Sequence, residues 1–310
     1  MENIGKGLDK TLKSKNLTSK LDKLMEEVMS DEDVQQFIME HREQLSDDDI
    51  VKSYAKLYEF VQEKKKYKLK DATMIAPGYE PRLFMNFHYI DVTYVPTKGL
   101  IQKQEQAIIR NRVKAMDMPK DIREARLDRF ELDAERKEAF QEAIKFINEF
   151  EDTPKEFHQG LYLQGTFGVG KTYLLGAIAN TLAEKGFQST LVHFPTFAVE
   201  MKQSIQKDTV GEKLDVVKRA QILMIDDIGA DSMSSWVRDD VLGVILQYRM
   251  QEQLPTFFSS NFDMRQLEEE HLSVTQRGEE EPLKAKRIME RIRYLAKEIN
   301  MIGENRRLYR

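Results

Sequence analysis

The residues best suited to chemistry are GTFGVGKT, Gly165 to Thr172, which fit the pattern G-x-x-x-x-G-K-[ST] at every position. Gly165, Thr166, Phe167, Gly168, Val169 and Gly170 let backbone N–H groups curl around a polyphosphate. Lys171 then reaches the terminal phosphates, the Thr172 hydroxyl can sit on a magnesium ion, and Tyr173 follows in the first helical turn. A glycine-rich turn that happens to precede a lysine is the bland alternative, and context decides against it. Gly160 to Gln164 is a short apolar run with strand character, and Leu174, Leu175, Ile178, Ala179 and Leu182 recur at helical spacing. Strand, loop and helix come in the order a phosphate cradle requires. Alone, that cradle says ATP or GTP.

A second group lies at Ile222 to Asp227, where four apolar residues feed two carboxylates. This predicts a central parallel strand whose carboxyl end faces the phosphates. Magnesium on a nucleotide needs few protein ligands, because phosphates and water fill most of its shell. Asp226 with Thr172 is the candidate metal pair, and Asp227 sits where it could polarise an attacking water. Thr256 to Asn261 predicts a further buried strand, with Asn261 at its tip suited to holding that water. Its other role would be to cap the turn before Asp263. Between Lys284 and Arg310 there are nine Lys or Arg against three Glu. A charge run is usually a solvated face, but an arginine here could enter a neighbouring copy's site. Arg291 is favoured, with Arg287 and Arg293 as alternates.

The elements that must position these groups occupy the rest of the 310 residues, a length that suits about two domains. The net charge of −5 gives no bulk attraction to nucleic acid, so any DNA contact must be local. With no cysteine, disulfides and thiolate zinc sites are excluded, and zinc is not expected. No apolar signal core opens the chain and no run of eighteen apolar residues occurs, so a cytoplasmic protein with no membrane partner is expected. The first sixteen or so residues read as a flexible arm. Helical patterns follow from Leu21 (Leu24, Met25, Val28), from Ser30 and Asp33 (Val34, Phe37, Ile38), and from Ser46 to Lys66. Leu83 to Met85 and Tyr89 to Val95 predict a hairpin, completing a small α+β unit whose aromatics make either its own core or a docking surface. Residues 98–116 read as one charged helix, 122–132 and 139–150 as further helices, and 236–250 as another. Ile122 and Arg123 are candidate walls of a base pocket.

Taken together, GTFGVGKT, ILMIDDIG, SSWVRDDV, LPTFFSSNF and RIMERIR resemble the bacterial replicative helicase loaders of the DnaI/DnaC type. The likeness is specific over residues 118–310 and weaker, through GYEPRL, in the N-terminal part. It implies an AAA+ P-loop core with parallel strand order 5-1-4-3-2, preceded by a small, mainly helical α+β domain. It divides the chain into residues 1–100 for helicase binding, a linker helix over 101–117 and an ATPase domain over 118–310. It also implies ATP and magnesium as cofactors, a hexameric helicase and other primosome proteins as partners, and self-assembly on the helicase. Lys171 and Thr172 become Walker A, Asp226 and Asp227 Walker B, Asn261 sensor 1 and Arg291 the arginine finger. Single-stranded DNA would lie along Phe197 to Arg219, where Lys202, Lys207 and Lys213 are candidate phosphate contacts.

Two departures from the family pattern stand out. Some relatives hold the N-terminal domain with a cysteine-rich zinc site, which this chain cannot build. The sequence also runs only a short way past the fifth strand, so neither a helical lid nor its sensor-2 arginine is expected, which implies slow turnover. A transposase-helper ATPase shares the same core, and a nucleotide-switched adaptor with negligible hydrolysis is a further rival. An initiator reading double-stranded origins would need a helix-turn-helix for which few residues remain.

Overall fold

The computed structural model describes residues 23–116, 118–230, 233–273 and 280–306. The expected N-terminal arm and Leu21 lie outside them. The chain forms two compact units, Met1–Glu105 and Gln106–Arg310.

In the first unit, residues 23–29 are helical and α1 (Glu32–Glu40) follows. Its N-cap is Asp31, whose side chain accepts the Asp33 and Val34 N–H groups. Acids in its first turn also suit the positive end of the helix dipole. The single helix expected from Ser46 is two, α2 (Asp47–Lys52) and α3 (Tyr54–Leu69). Ser46 and Asp49 form a capping box at the start of α2. The break falls at Ser53, a buried residue whose hydroxyl donates to Asp49 O at 2.7 Å and accepts the Ile90 N–H at 2.9 Å. A side chain spent on the hairpin is the physical reason for the interruption.

Strands β1 (Tyr79–Asn86) and β2 (Tyr89–Pro96) pair antiparallel from Tyr79↔Pro96 to Asn86↔Tyr89. Phe87 takes the left-handed turn conformation, φ 54°. Val34, Ile50, Leu57, Phe60, Val61 and Ile90 belong to this unit's own core, against which Leu83, Met85 and Val92 pack. Phe84, Phe87 and Tyr89 stay exposed, so only part of the hairpin's apolar residues serves that core.

The second unit is built on a six-stranded sheet. Its strands are β3 (Val113–Met116), β4 (Gly160–Gln164), β5 (Ser189–His193), β6 (Ile222–Asp226), β7 (Thr256–Ser260) and β8 (Ala296–Asn300). Their order is β3-β5-β6-β7-β4-β8, with every pairing parallel. The last five reproduce the expected 5-1-4-3-2 arrangement. The sixth, β3, departs from the single helix expected over 98–116: helix α4 (Lys98–Arg112) ends and Val113–Met116 continues as an edge strand against β5. Val113 and Ala115 pack toward the core, but four residues behind a charged helix are too few to declare a strand period.

Other boundaries also moved. Over 122–132 only α5 (Lys120–Arg123) and a 3₁₀ turn at Leu127–Arg129 form, and α6 (Lys137–Asp152) precedes β4. After β4 come α7 (Lys171–Glu184), α8 (Phe194–Ile205) and α9 (Val210–Lys218). The helix after β6 opens with a π-helical turn, Val237–Leu242, before α10 (Gly243–Gln251). A capped turn, α11 (Met264–Gln266), and α12 (Pro282–Leu295) complete the unit. Strand β6 is buried throughout. Ile222 and Met224 join one core with α6 and α7, while Leu223 and Ile225 join the other with α8, α10 and α12.

Candidate active site

Gly160–Gln164 delivers the chain to the carboxyl edge of the sheet, and the glycine loop turns it into α7. Gly165 and Gly168 have φ of 156° and 77°, and a Cβ would lie 2.0 Å from Met301 O at the first and 1.9 Å from Asn305 Oδ1 at the second. Glycine is needed there because the segment after β8 crosses the loop at backbone contact distance. Met301 N donates to Gln164 O at 2.7 Å and Arg306 N to Gly168 O at 3.1 Å.

Lys171 is buried at the start of α7, and its Nζ donates to Gly165 O at 2.7 Å, Thr166 O at 2.9 Å and Asn261 Oδ1 at 2.9 Å. Asn261 Nδ2 donates onward to Asp227 Oδ1 at 3.2 Å. A chain of contacts therefore joins the cradle lysine to the second carboxylate through the strand tip. Both polar atoms of the Asn261 side chain are taken up by Lys171 and Asp227, and in the turn before Asp263 the Phe262 N–H is held by Ser260 Oγ at 3.2 Å.

Thr172 Oγ1 donates to Asp226 Oδ1 at 2.9 Å, and Ser259 Oγ donates to the same oxygen at 2.5 Å. Burial raises the Asp226 carboxyl above the usual range and neighbouring Asp227 adds to this, against the two hydroxyl donors. A divalent cation beside Asp226 and Thr172 would favour the charged form, so the donor set fits magnesium. Among the described residues no group of three or more His, Asp or Glu could hold a metal, so phosphate and water would supply the remaining ligands. Asp227 adopts a left-handed φ of 61°, unusual for a residue with a side chain. His193 Nε2 lies 3.9 Å from its Oδ2.

These groups line a cleft of about 1300 Å³, together with Phe167, Gly168, Gly170 and Tyr173. Val169 instead points into the core beneath, and Thr166 takes part through its carbonyl. Met118, Ile122 and Phe130 form an apolar wall beside Tyr173. Arg123 does not share it: its side chain is exposed and its carbonyl accepts from Asn180.

Phe130, Arg136, His193, Ser259 and Arg306 also line this cleft and are not among the residues expected there. Arg136 is almost fully buried, binds Asp133 at 2.6 Å and stacks over Phe130 at 5.1 Å. Arg306 pairs with Glu131 and Asp133. Both arginines come from segments without periodicity, and only His193 and Ser259, at strand ends beside candidate site residues, carry a signal that could have found them.

Arg291 stands apart from this set. Its Nη1 donates to Gly243 O at 2.9 Å, and burial lowers its guanidinium pKa. Arg287 is exposed and Arg293 pairs with Glu268 at 2.6 Å. Lys202 and Lys207 are exposed on and just after α8, while Lys213 is paired with Glu200 at 2.8 Å.

Comparison with known proteins adds to this geometry. The family described as primosomal protein DnaI N-terminus matches residues 1–94, and that of the bacterial DnaA ATPase domain matches residues 126–274. The replicative helicase loader DnaI of Bacillus subtilis (strain 168) is 43% identical over 316 aligned positions, covering 99% of each chain. The chain belongs to the DnaI family of replicative helicase loaders. A DnaI crystal structure with 50% identity superposes with a TM-score of 0.56, covering 62% of this chain and 98% of the other. A primosome component from Streptococcus pyogenes serotype M3 does so at 43% identity and 0.54, covering 65% and 98%. The full-length likeness to a loader decides against the transposase-helper alternative. Among the described residues of this DnaI-family chain, no helix is long and apolar enough to cross a membrane.

Proposed function

We propose that this DnaI-family loader binds and hydrolyses ATP while placing the hexameric replicative helicase on single-stranded DNA. The observation that carries this reading is the linked set Lys171–Asn261–Asp227, beside Thr172–Asp226, at the carboxyl edge of a parallel sheet. The glycine loop's N–H groups and Lys171 hold the phosphates. Asp227 accepts a proton from, or orients, the water that attacks the γ-phosphorus, and Asn261 keeps that carboxylate in register with Lys171. Thr172 and Asp226 would hold magnesium, which would supply neutralisation of charge on the phosphate oxygens. Arg291 acts on a second copy's site, as a finger of the kind that accelerates phosphoryl transfer by about 10³–10⁵. Residues 1–100 carry the helicase contact, and Lys202 and Lys207 contribute to the DNA contact.

The test is ATP turnover by the full chain, alone and with helicase and single-stranded DNA, alongside helicase loading. Stimulated turnover that falls at least about tenfold in Asp227→Asn supports the reading. Loading by that variant at the parental level would make nucleotide binding, and not hydrolysis, the essential act. Residues 1–100 should retain helicase alone, and retention only by the ATPase unit would overturn the division of labour.

A further inference from the structure

We infer that Ser259 is the positioning residue that sets both site carboxylates at once; this rests on the hydrolytic reading above. Ser259 lies on β7, two residues before Asn261, and is 1% exposed. Its hydroxyl has one proton to give and gives it to Asp226 Oδ1, at 2.5 Å. Its oxygen accepts the Asp227 backbone N–H at 3.0 Å. The Ser259 carbonyl also accepts the Ile228 N–H at 2.9 Å, so one residue holds two successive N–H groups of the turn leaving β6.

The turn needs holding because Asp227 sits at φ 61°, where a residue bearing a Cβ is strained. In that conformation its carboxylate meets Asn261 Nδ2 and faces His193. If Asp227 relaxed to an extended or right-handed conformation, its side chain would swing away from Asn261. Meanwhile the bonds from Thr172 and Ser259 both fall on Oδ1 of Asp226. They fix the carboxylate's rotation and leave Oδ2 without a side-chain donor among the described residues. An alanine at 259 would release the Asp227 N–H and one of the two Asp226 donors together. A hydroxyl is needed because one group must donate on one side and accept on the other, and a cysteine or alanine cannot do both at these distances.

The experiment compares Ser259→Ala and Ser259→Thr with the parent, using full-length protein with helicase and single-stranded DNA. Melting temperature and affinity for a fluorescent ATP analogue are followed beside turnover. Ser259→Ala should lower kcat about tenfold, with KM and analogue affinity within about threefold, and Ser259→Thr, which keeps the hydroxyl, should recover most of the loss. In an Asp227→Asn background the same alanine should cost clearly less than in the parent, because one of the two carboxylates it positions is already gone while Asp226 remains. A kcat within about twofold of the parent, or the same loss in both backgrounds, overturns the proposal. If the parent turns over no ATP, the hydrolytic reading fails and the positioning role is judged by magnesium titration of analogue binding. A several-fold higher half-saturating magnesium concentration for Ser259→Ala then upholds it, and an unchanged one overturns it.

Discussion

At the scale of single residues, the site is a relay of short polar contacts, and each contact makes a distinct demand. Asn261 touches Lys171 with its oxygen and Asp227 with its nitrogen, so Asn261→Asp would repel one partner and Asn261→Ala would lose both. We expect Asn261→Ala to keep ATP-analogue binding within a few-fold and to lower stimulated kcat by about 10–100-fold, as steady-state turnover would reveal. Lys171→Ala should instead abolish detectable analogue binding, because on the proposed reading its buried ammonium holds the terminal phosphates. Lys171, Thr172, Asp226, Asp227 and Asn261 were legible in the sequence because each sits at a fixed step from a glycine loop or a strand end. Ser259 carries only its place near a strand end, because within a run of strand residues its type does not by itself separate a buried relay from an ordinary β-position. Arg136 and Arg306 were hidden for another reason: only folding brings Asp133 and the segment after β8 to the same loop.

At the scale of elements, burial decided the places where periodicity misled. Ser53 breaks a helix that pattern alone would continue, because its hydroxyl serves Ile90 on the hairpin. Ser53→Ala strands that buried N–H, and should destabilise the N-terminal unit by about 1–3 kcal/mol, measured by denaturant-dependent hydrogen exchange in peptides from α3 and β2. The same unit should be sensitive to acid. Asp31 is held below the usual carboxylate range by Lys64 and the capped N–H groups of α1, which outweigh its burial. Asp49 is lowered by the Ser46 hydroxyl and N–H, Asp71 by the Thr73 N–H and hydroxyl, and Asp91 chiefly by the Val92 N–H. Because folded values lie below unfolded ones, the stabilisation is full above about pH 4 and is lost as pH falls through the folded values. Exchange protection across residues 31–96 should therefore hold at pH 5 and weaken below about pH 4. Protection that instead collapsed on going alkaline would contradict these assignments.

At the scale of the whole molecule, a cleft holding the cradle, both carboxylates and the strand-tip amide still takes no arginine from α12 of its own chain. If Arg291 serves a neighbour, the defects of Lys171→Ala and Arg291→Ala lie on opposite sides of a shared site. Either variant alone should be inactive on helicase, whereas an equimolar mixture should regain about a quarter of the parental turnover, since one junction in four pairs two intact halves. No recovery on mixing would place the Arg291 defect within its own chain. The segment that crosses the phosphate loop also carries a practical consequence. Glu304 is exposed and lines the cleft immediately before Asn305, whose side chain abuts Gly168, in a sequence that contains no thiol of its own. Glu304→Cys would thus accept a single environment-sensitive dye, turning this crossing segment into an optical reporter of nucleotide arrival and departure during loading.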